Sequence, residues 1–405
     1  MVERVKRLGQ GRERGAYRRR VLYIPGYDPF PPRRYRELFR TEGAEQAAIS
    51  GYSLTLKPRP GETYGWQVEA HVDGREVQAE VEVLVWSDLV KGSMARGILG
   101  TYVLLARTAW VYIASGALFR LVRLRKGPMI AALYPAILLV LQLLVALLAG
   151  ALAVWIAPWP WIDLALGAGV AWATLEGFRR LDRRLYVYYL MHDFAFTALG
   201  GGVYPAVLEE RMALFRSRIR AALASGVQEV LVVGHSSGVH IGVSVLADLI
   251  REGLPPDGPS LSFLRLGQAV PMASFLPGAQ RLRADLRFLS ECEEVTWVDV
   301  TAPSDGCSFS LCDPVAVSGV ATEAQRWPLV ISASFTQTLS PERWRELRWQ
   351  FFRLHFQYMC AFDRPGDYDY FQITAGPMSL RKRFRRRSPS ASRITRPYSP
   401  YRDAA

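Results

Sequence analysis

The sequence predicts an α/β fold with a mostly parallel sheet, interrupted by a helical insertion of different composition. Three observations carry this prediction. The β-branched run at residues 230–233 is typical of a strand buried on both faces, and a tight turn and a helical pattern follow it. Two alternating segments between residues 66 and 83 predict a β-hairpin. The stretch from residue 129 to residue 157 contains no charged residue at all.

Composition narrows the class of protein. The chain has 405 residues, of which 50% are hydrophobic, so it can form one large core plus an insertion. Its net charge of +13 indicates nucleic acid, anionic lipid or merely basic tails. Because no zinc-like spacing or nucleic-acid motif accompanies the long apolar stretches, a lipid surface is favoured and no nucleic-acid partner is expected. The four cysteines lie late in the chain without paired spacing, which indicates a reduced compartment.

The first part of the predicted domain covers residues 21–95. Residues 1–20 are a basic leader, expected to be flexible, and the apolar run that follows is too short for a signal peptide. A candidate strand at residues 21–24 ends in the turn Pro25-Gly26-Tyr27. The hairpin comes next, with Asp73-Gly74 between its two alternating strands. We expect its end, near residues 86–88, to approach the end of the sheet where the turn lies.

Residues 96–184 predict a membrane insertion. Residues 129–157 are long enough to cross a hydrocarbon core of roughly 30 Å, and residues 160–178 form a second, marginal span with Asp163 and Glu176 near its ends. Aromatic and proline residues between the two spans suit a membrane interface. Residues 98–119 are apolar but contain a charged residue, which predicts an interfacial or partly buried helix. A buried helical lid is the alternative, mainly for the second span.

Basic residues on both flanks of the insertion predict its orientation. By the positive-inside rule both flanks should be cytoplasmic, and a transmembrane helical hairpin returns the chain to its starting side, as one domain assembled from both flanks requires. The protein is thus expected to be an integral membrane protein with its folded domain in the cytoplasm. The flanking residues are Arg120, Arg123, Arg125, Lys126, Arg179, Arg180, Arg183 and Arg184.

The second part of the domain covers residues 185–380 and contains the most specific motif. Gly234-His235-Ser236-Ser237-Gly238 matches G-x-S-x-G between the predicted strand and helix. Glycines let the backbone turn sharply there, and a helix N-terminus favours developing negative charge. The chain resembles the α/β-hydrolase superfamily, in which such an elbow lifts a nucleophilic serine above the sheet. Ser236 is the matching position; a simple helix cap is its alternative role.

The resemblance implies a triad in the chain order serine, acid, histidine. Residues 295–300 predict a strand, and the loop after it carries Asp305, the preferred acid. Asp299 lies within that strand and Asp313 lies deeper in the next segment, so both are less suitable. A plain Asp-Gly turn is the alternative for Asp305.

His355 is the candidate base, because it is the histidine far enough beyond the serine to belong to a separate element. Its surroundings look helical, whereas the superfamily base usually lies in a loop, and a buried histidine bonded to a carbonyl is the alternative. The resemblance also implies two backbone N–H groups that bind the oxyanion, for which Tyr27 and Ser237 are the matching residues. For Tyr27 an ordinary turn is equally compatible. No metal or organic cofactor is implied.

These expectations combine into a membrane-anchored serine hydrolase that cleaves an ester or thioester, with a lipid ester or acyl group suggested by the bilayer. An acyltransferase on the same fold, or a non-catalytic membrane scaffold that retains the elbow, are the alternatives. Residues 381–405 are basic and rich in serine and proline, and they predict a disordered tail.

Overall fold

The structure is a computed structural model that describes residues 15–61, 63–156 and 163–404. The strands are β1 Tyr17–Ile24, β2 Ser53–Pro58, β3 Gly65–Val72, β4 Arg75–Val83, β5 Glu229–His235, β6 Ser260–Leu266, β7 Val295–Thr301 and β8 Leu329–Ser332. The helices are α1 Arg33–Ser50, α2 Ser87–Met94, α3 Ile98–Ala114, α4 Ala117–Leu124, α5 Lys126–Ile156, α6 Asp163–Leu185, α7 Val187–Ala198, α8 Ala206–Leu223, α9 Gly238–Arg251, α10 Val270–Ser274, α11 Gln280–Glu291, α12 Pro314–Val317, α13 Phe335–Thr338, α14 Pro341–Leu347, α15 Phe351–His355, α16 Tyr370–Ala375 and α17 Leu380–Phe384, with a 3₁₀ turn at Gln357–Met359.

The eight strands form one mixed sheet in the order β2-β3-β4-β1-β5-β6-β7-β8. The five strand pairs from β4-β1 through β7-β8 are parallel, and β2, β3 and β4 pair antiparallel. An α/β fold with a mostly parallel sheet is thereby confirmed. Every residue of β5 is buried, as a central strand covered on both faces requires. One face packs on α8, α9 and α11, and the other packs on α1 and the segment from α13 to α17.

The predicted hairpin is confirmed. Four apolar side chains of β3 and four of β4 are buried on the same face, which is why the alternation is so regular in the sequence. Asp73 and Gly74 both have positive φ angles, 51° and 70°, as a type I′ two-residue hairpin turn requires. Beyond the hairpin, the indole N–H of Trp86 donates to the carbonyl of Pro25 at 2.9 Å. The end of the hairpin therefore does reach the turn that follows β1.

The N-terminal boundary differs from the expectation of a flexible leader up to residue 20. Strand β1 begins at Tyr17, and Arg19 is fully buried in it. The guanidinium of Arg19 pairs with Glu229 at 2.6 Å and donates to the carbonyls of Gly376 and Met378. A buried charge is tolerated when it is paired and hydrogen-bonded in this way. Residues 1–14 of the predicted leader lie outside the described residues.

The C-terminal segment also differs from the disordered tail predicted from residue 381. Ser390 bonds to β8, and Ile394 forms a parallel bridge with Cys312. Near the end, Asp403 accepts from the buried guanidinium of Arg283 at 2.6 Å. The basic and Pro-rich composition that suggests disorder is compensated here by backbone pairing with the folded domain. Residue 405 lies outside the described residues.

Helix α5 is the one helix in the described part of the chain that is long and apolar enough to cross a membrane. It has 31 residues. Its most apolar 18-residue stretch has a mean hydropathy of 2.8, and only 22% of that stretch is buried. A core helix of a soluble domain would be mostly buried, so the lid alternative is disfavoured for α5. Helices α2 and α3 are long and apolar enough for a membrane span only when they are taken together, and the chain bends by 104° between them.

Helix α6 packs antiparallel on α5, with Gly150 of α5 against Gly167 of α6. A Cβ on Gly150 would lie 2.6 Å from the carbonyl oxygen of Gly167, so the glycines permit this close approach. Helices α5 and α6 are therefore neighbours, but the predicted transmembrane hairpin is not confirmed, because α6 is not apolar enough to cross a membrane. The predicted aromatic turn and the start of the second span, residues 157–162, lie outside the described residues.

Candidate active site

Ser236 occupies a strained turn between β5 and α9. Its φ is +54°, in the left-handed region that a non-glycine residue rarely adopts. The backbone N–H of Ser236 donates to the carbonyl of Leu266 at 3.0 Å, which ties the turn to the end of β6. The side chain is half-buried. The residue thus has the strained backbone that a nucleophile elbow requires.

Glycines on two elements make room for this turn. A Cβ on Gly238 would lie 2.3 Å from the carbonyl oxygen of Pro25, a contact that no larger residue can make. A Cβ on Gly26 would lie 3.0 Å from the Cβ of Ser236. The turn after β1 therefore packs directly against the serine, so Gly26 and Tyr27 form one wall of the site.

Asp305 and His355 form a hydrogen-bonded pair. Nδ1 of His355 lies 2.9 Å from Oδ2 of Asp305, and both side chains are buried. The same Oδ2 accepts from the hydroxyl of Tyr358 at 2.9 Å, and Oδ1 accepts from the backbone N–H of Cys307 at 2.9 Å. Burial alone would raise the pKa of Asp305, but the charge of His355 and these hydrogen bonds outweigh burial and lower it. Asp305 is therefore an anion that orients the imidazole.

His355 lies at the end of α15, in the helical surroundings that the sequence predicts. Gly267, directly after β6, allows its approach: a Cβ there would lie 3.1 Å from Cε1 of His355 and 3.2 Å from Oδ2 of Asp305. The alternative role of a buried histidine bonded to a carbonyl belongs instead to His235, whose Nε2 donates to the carbonyl of His355 at 2.9 Å. Burial and the neighbouring His355 lower the pKa of His235 to about 3. His235 is thus neutral and is no rival base.

Two of the three candidate residues, Ser236 and Asp305, lie at the carboxyl ends of parallel strands, whereas His355 lies at the end of α15. Ser236 follows β5, Asp305 follows β7, and Gly267 at the end of β6 lies between Leu266, which bonds to the serine backbone, and the Asp305–His355 pair. The Oγ of Ser236 makes no hydrogen bond to His355 within the described residues. Such bonds are often long or absent until a substrate binds.

The two candidate oxyanion donors differ in whether their backbone N–H groups are already hydrogen-bonded. The backbone N–H of Tyr27 donates to the side-chain Oγ of Ser237 at 2.8 Å, so it is already engaged. The backbone N–H of Ser237, at the start of α9, has no acceptor among the described residues and is available to a ligand. Tyr27 would have to exchange Ser237 for an oxyanion to serve as the second donor.

The other acids considered from the sequence do not touch His355. Asp299 is fully buried within β7, 3.6 Å from the guanidinium of Arg265, and burial raises the pKa of Asp299 to about 6. Asp313 caps α12 by accepting from the backbone N–H groups of Val315 and Ala316. Asp299 and Asp313 therefore have structural roles, beside a buried arginine and as a helix cap. Of the three acids, Asp305 is the one hydrogen-bonded to His355.

Three further residues near the pair are not among the site residues predicted from the sequence. Tyr358 and Cys307 bond to Asp305, and Asp193 on α7 is close enough for the charge of His355 to act on it. Burial raises the pKa of Asp193 to about 7, while His355 opposes the rise. The His192-Asp193 pair is visible in the sequence, but only the tertiary fold brings one member to the site. His192 instead bonds to its own helix through the carbonyl of Tyr188.

Asp305, Cys307 and His355 also place three ligand atoms within 4.8 Å of one another, a spacing that could hold a metal ion. Two of these groups already satisfy each other in the 2.9 Å hydrogen bond. Burial raises the pKa of the Cys307 thiol, which disfavours the thiolate that binds metals. The donor set therefore fits a hydrogen-bonded acid and base better than a metal centre.

Comparison of the chain with protein-family models, with curated proteins and with solved structures found no match.

Proposed function

We propose that the protein is a serine hydrolase that cleaves an ester or thioester at a membrane surface. The observation that carries the proposal is the buried Asp305–His355 hydrogen bond beside a strained serine turn, with Ser236 directly after β5 and Asp305 in the loop after β7. Carboxyl ends of parallel strands are where catalytic groups in α/β folds gather. With the resemblance of the elbow to the α/β-hydrolase superfamily, this arrangement supports one reaction class above the others.

In the proposed reaction Oγ of Ser236 attacks the carbonyl carbon, and Nε2 of His355 takes the hydroxyl proton. Asp305 keeps the proton of His355 on Nδ1 and stabilises the imidazolium that forms. The N–H of Ser237 donates to the developing oxyanion. His355 then returns the proton to the leaving alcohol or thiol. In the second half of the reaction water attacks the acyl-enzyme, His355 takes a proton from the water, and it returns that proton to Oγ of Ser236 as the carboxylic acid leaves.

A lipid substrate is supported by the way the apolar helices join the site. Helix α5 begins beside the acid loop: Gly127 packs on Gly306, and the guanidinium of Arg125 donates to the carbonyl of Ser310 at 2.9 Å. On the other side, the hydroxyl of Tyr189 on α7 donates to the carbonyl of Tyr27 at 2.5 Å. The candidate site therefore adjoins the start of α5, a helix with extensive exposed apolar surface, and contacts α7 through Tyr189.

Two exposed apolar surfaces support membrane anchoring. Along α5 large side chains such as Leu148 and Trp155 are 69% and 82% exposed. Helix α3 exposes Leu99 and Trp110 on one face, 67% and 73%, while its opposite face packs on α7. We propose that α5 spans the bilayer with α6 beside it, that α3 lies at the interface, and that the domain is cytoplasmic, as the basic flanks predict.

The test is turnover of a lipid ester by the full chain in detergent micelles. We expect release of fatty acid by the wild type, loss of at least ~1000-fold with Ser236→Ala, and no change with Ser217→Ala, an exposed serine on α8. Addition of an acceptor alcohol distinguishes an acyltransferase, which would form a new ester instead of free acid. Equal turnover by wild type and Ser236→Ala would refute the hydrolase and leave the scaffold.

A further inference from the structure

We propose that the cavity between the end of α6 and the turn after β1 binds the phosphate of an acidic phospholipid, and that this lipid class presents its ester to Ser236. The cavity has a volume of about 410 Å³. Its walls come from the turn after β1, α2, the last turns of α6 and the start of α7. The inference rests on the proposed function for the ester, but the binding site itself is argued from the cavity.

The cavity is one residue away from the serine wall. Tyr189 lines it and donates its hydroxyl to the carbonyl of Tyr27. Tyr27 follows Gly26, where a Cβ would lie 3.0 Å from the Cβ of Ser236. The Tyr189 wall of the cavity is therefore linked by one hydrogen bond to the turn that packs against Ser236.

Arginine side chains give the cavity its chemistry. Arg179, Arg180 and Arg183 line it, together with Glu176 and Asp182. Glu176 pairs with Arg179 at 2.7 Å and with Arg180 at 3.2 Å, and Asp182 accepts from the backbone N–H groups at the start of α7. Arg183 has no ion-pair partner among the described residues. The three arginines outnumber the two acidic residues, so the cluster keeps a positive charge. A planar guanidinium suits bidentate binding of a phosphate, whose negative charge would neutralise that excess.

Aromatic side chains form the rest of the lining. Phe30 is 43% exposed and carries the guanidinium of Arg34 over its ring at 4.4 Å. Tyr186, between α6 and α7, has a φ of +55°, and its ring packs on Phe352 at 4.7 Å between centroids. A strained, non-glycine residue in a cavity wall is a frequent feature of ligand sites.

The position on the helix favours a lipid over a soluble phosphate. The arginines occupy the last turns of α6, which packs along α5, the helix in the described part of the chain that is apolar enough to span a bilayer. Arginine and aromatic residues at that level of a membrane helix meet lipid head groups. The same residues far from an apolar helix would carry no such preference.

The test measures binding by calorimetry, with the detergent-solubilised full chain carrying Ser236→Ala so that the probe is not consumed. Dihexanoyl phosphatidic acid is titrated, with dihexanoyl glycerol and inorganic phosphate as comparison probes. We expect phosphatidic acid to bind, Arg183→Gln to weaken it about tenfold, and Glu176→Gln to tighten it by releasing two arginines. Arg184→Gln is the matched control, because Arg184 is adjacent but does not line the cavity.

Each outcome bears on the inference. Equal loss with Arg183→Gln and Arg184→Gln, or equal binding of dihexanoyl glycerol, would overturn the phosphate site. Binding of inorganic phosphate as tight as that of phosphatidic acid would overturn the choice of a lipid. Fluorophosphonate labelling of the wild type separates the two proposals, since a wild-type serine that labels while the Ser236→Ala chain with its intact cavity binds no phosphatidic acid refutes only this one.

Discussion

Replacing Asp305 by asparagine keeps the size of the side chain and removes its charge. In the structure the carboxylate accepts hydrogen bonds from His355, Tyr358 and the N–H of Cys307. An amide can accept through one oxygen only, and its NH₂ group would face a donor. His355 then loses the partner that holds its proton on Nδ1, so that Nε2 can no longer accept a proton from Ser236.

The expected loss of serine reactivity is large. Loss of the correct histidine tautomer in a serine triad lowers the rate by ~10⁴-fold. The cost in folding free energy should be smaller, about 1.5 to 3 kcal/mol for a hydrogen-bonded charge. Because the pKa of Asp305 is lowered in the folded protein, the carboxylate stabilises the fold above the pKa of an unfolded aspartate, roughly 3.9. This contribution is lost in the wild type as the pH falls through the lowered pKa, and it is absent from the variant throughout.

The assay is the rate of fluorophosphonate labelling, read as the fraction of modified protein by intact mass. Asp313→Asn and Asp299→Asn are matched controls, since both residues are buried aspartates without contact to His355. We expect these controls to lose stability but to label at the wild-type rate. Wild-type labelling by a folded Asp305→Asn variant would refute the assignment of the acid, and a selective loss in either control would transfer the role to that residue.

Three further predictions follow from single contacts in the site. Tyr358→Phe removes one of the donors to Asp305 and should slow labelling by about fivefold, the equivalent of ~1 kcal/mol; an unchanged rate would show that Tyr358 does not support the acid. Asp193→Asn should stabilise the protein little at pH 4 and by roughly 2 to 4 kcal/mol at pH 8. The reason is that the wild-type carboxyl, with its pKa raised to about 7, loses stability relative to the unfolded chain as the pH rises from about 4 to about 7; a melting-temperature difference independent of pH would contradict this. Ser236→Gly should raise stability by roughly 0.5 to 1 kcal/mol over Ser236→Ala, because glycine tolerates the positive φ, and lower stability in chemical denaturation would show that the turn is unstrained.

Local patterns explain which parts of the fold the sequence predicts well. The alternation in β3 and β4 reflects one buried face, and the turn residues Asp73-Gly74 have the φ angles that only such residues adopt easily. The elbow is equally local, since the motif around Ser236 is contiguous. Asp305 could be chosen because it follows a recognisable strand, and its contact with His355 agrees with that choice.

The remaining features depend on distant parts of the chain. Arg19 is part of a strand only because Glu229, far along the sequence, neutralises it. The C-terminal segment is ordered because backbone groups near Cys312 and Val317 pair with it. Neither Glu229 as the partner of Arg19 nor the backbone that pairs with the C-terminal segment can be inferred from amino-acid composition. Asp193 and Tyr358 likewise reach the site through tertiary packing, and no spacing rule links them to Ser236.

The measurement that tests the central claim most directly is fluorophosphonate labelling of the full chain in detergent, followed by intact mass and peptide mapping. The account predicts one adduct on the wild type, located on Ser236, and none on the Ser236→Ala variant under the same conditions. A folded wild type that stays unlabelled, or an adduct that persists in Ser236→Ala, would contradict an activated serine at this elbow.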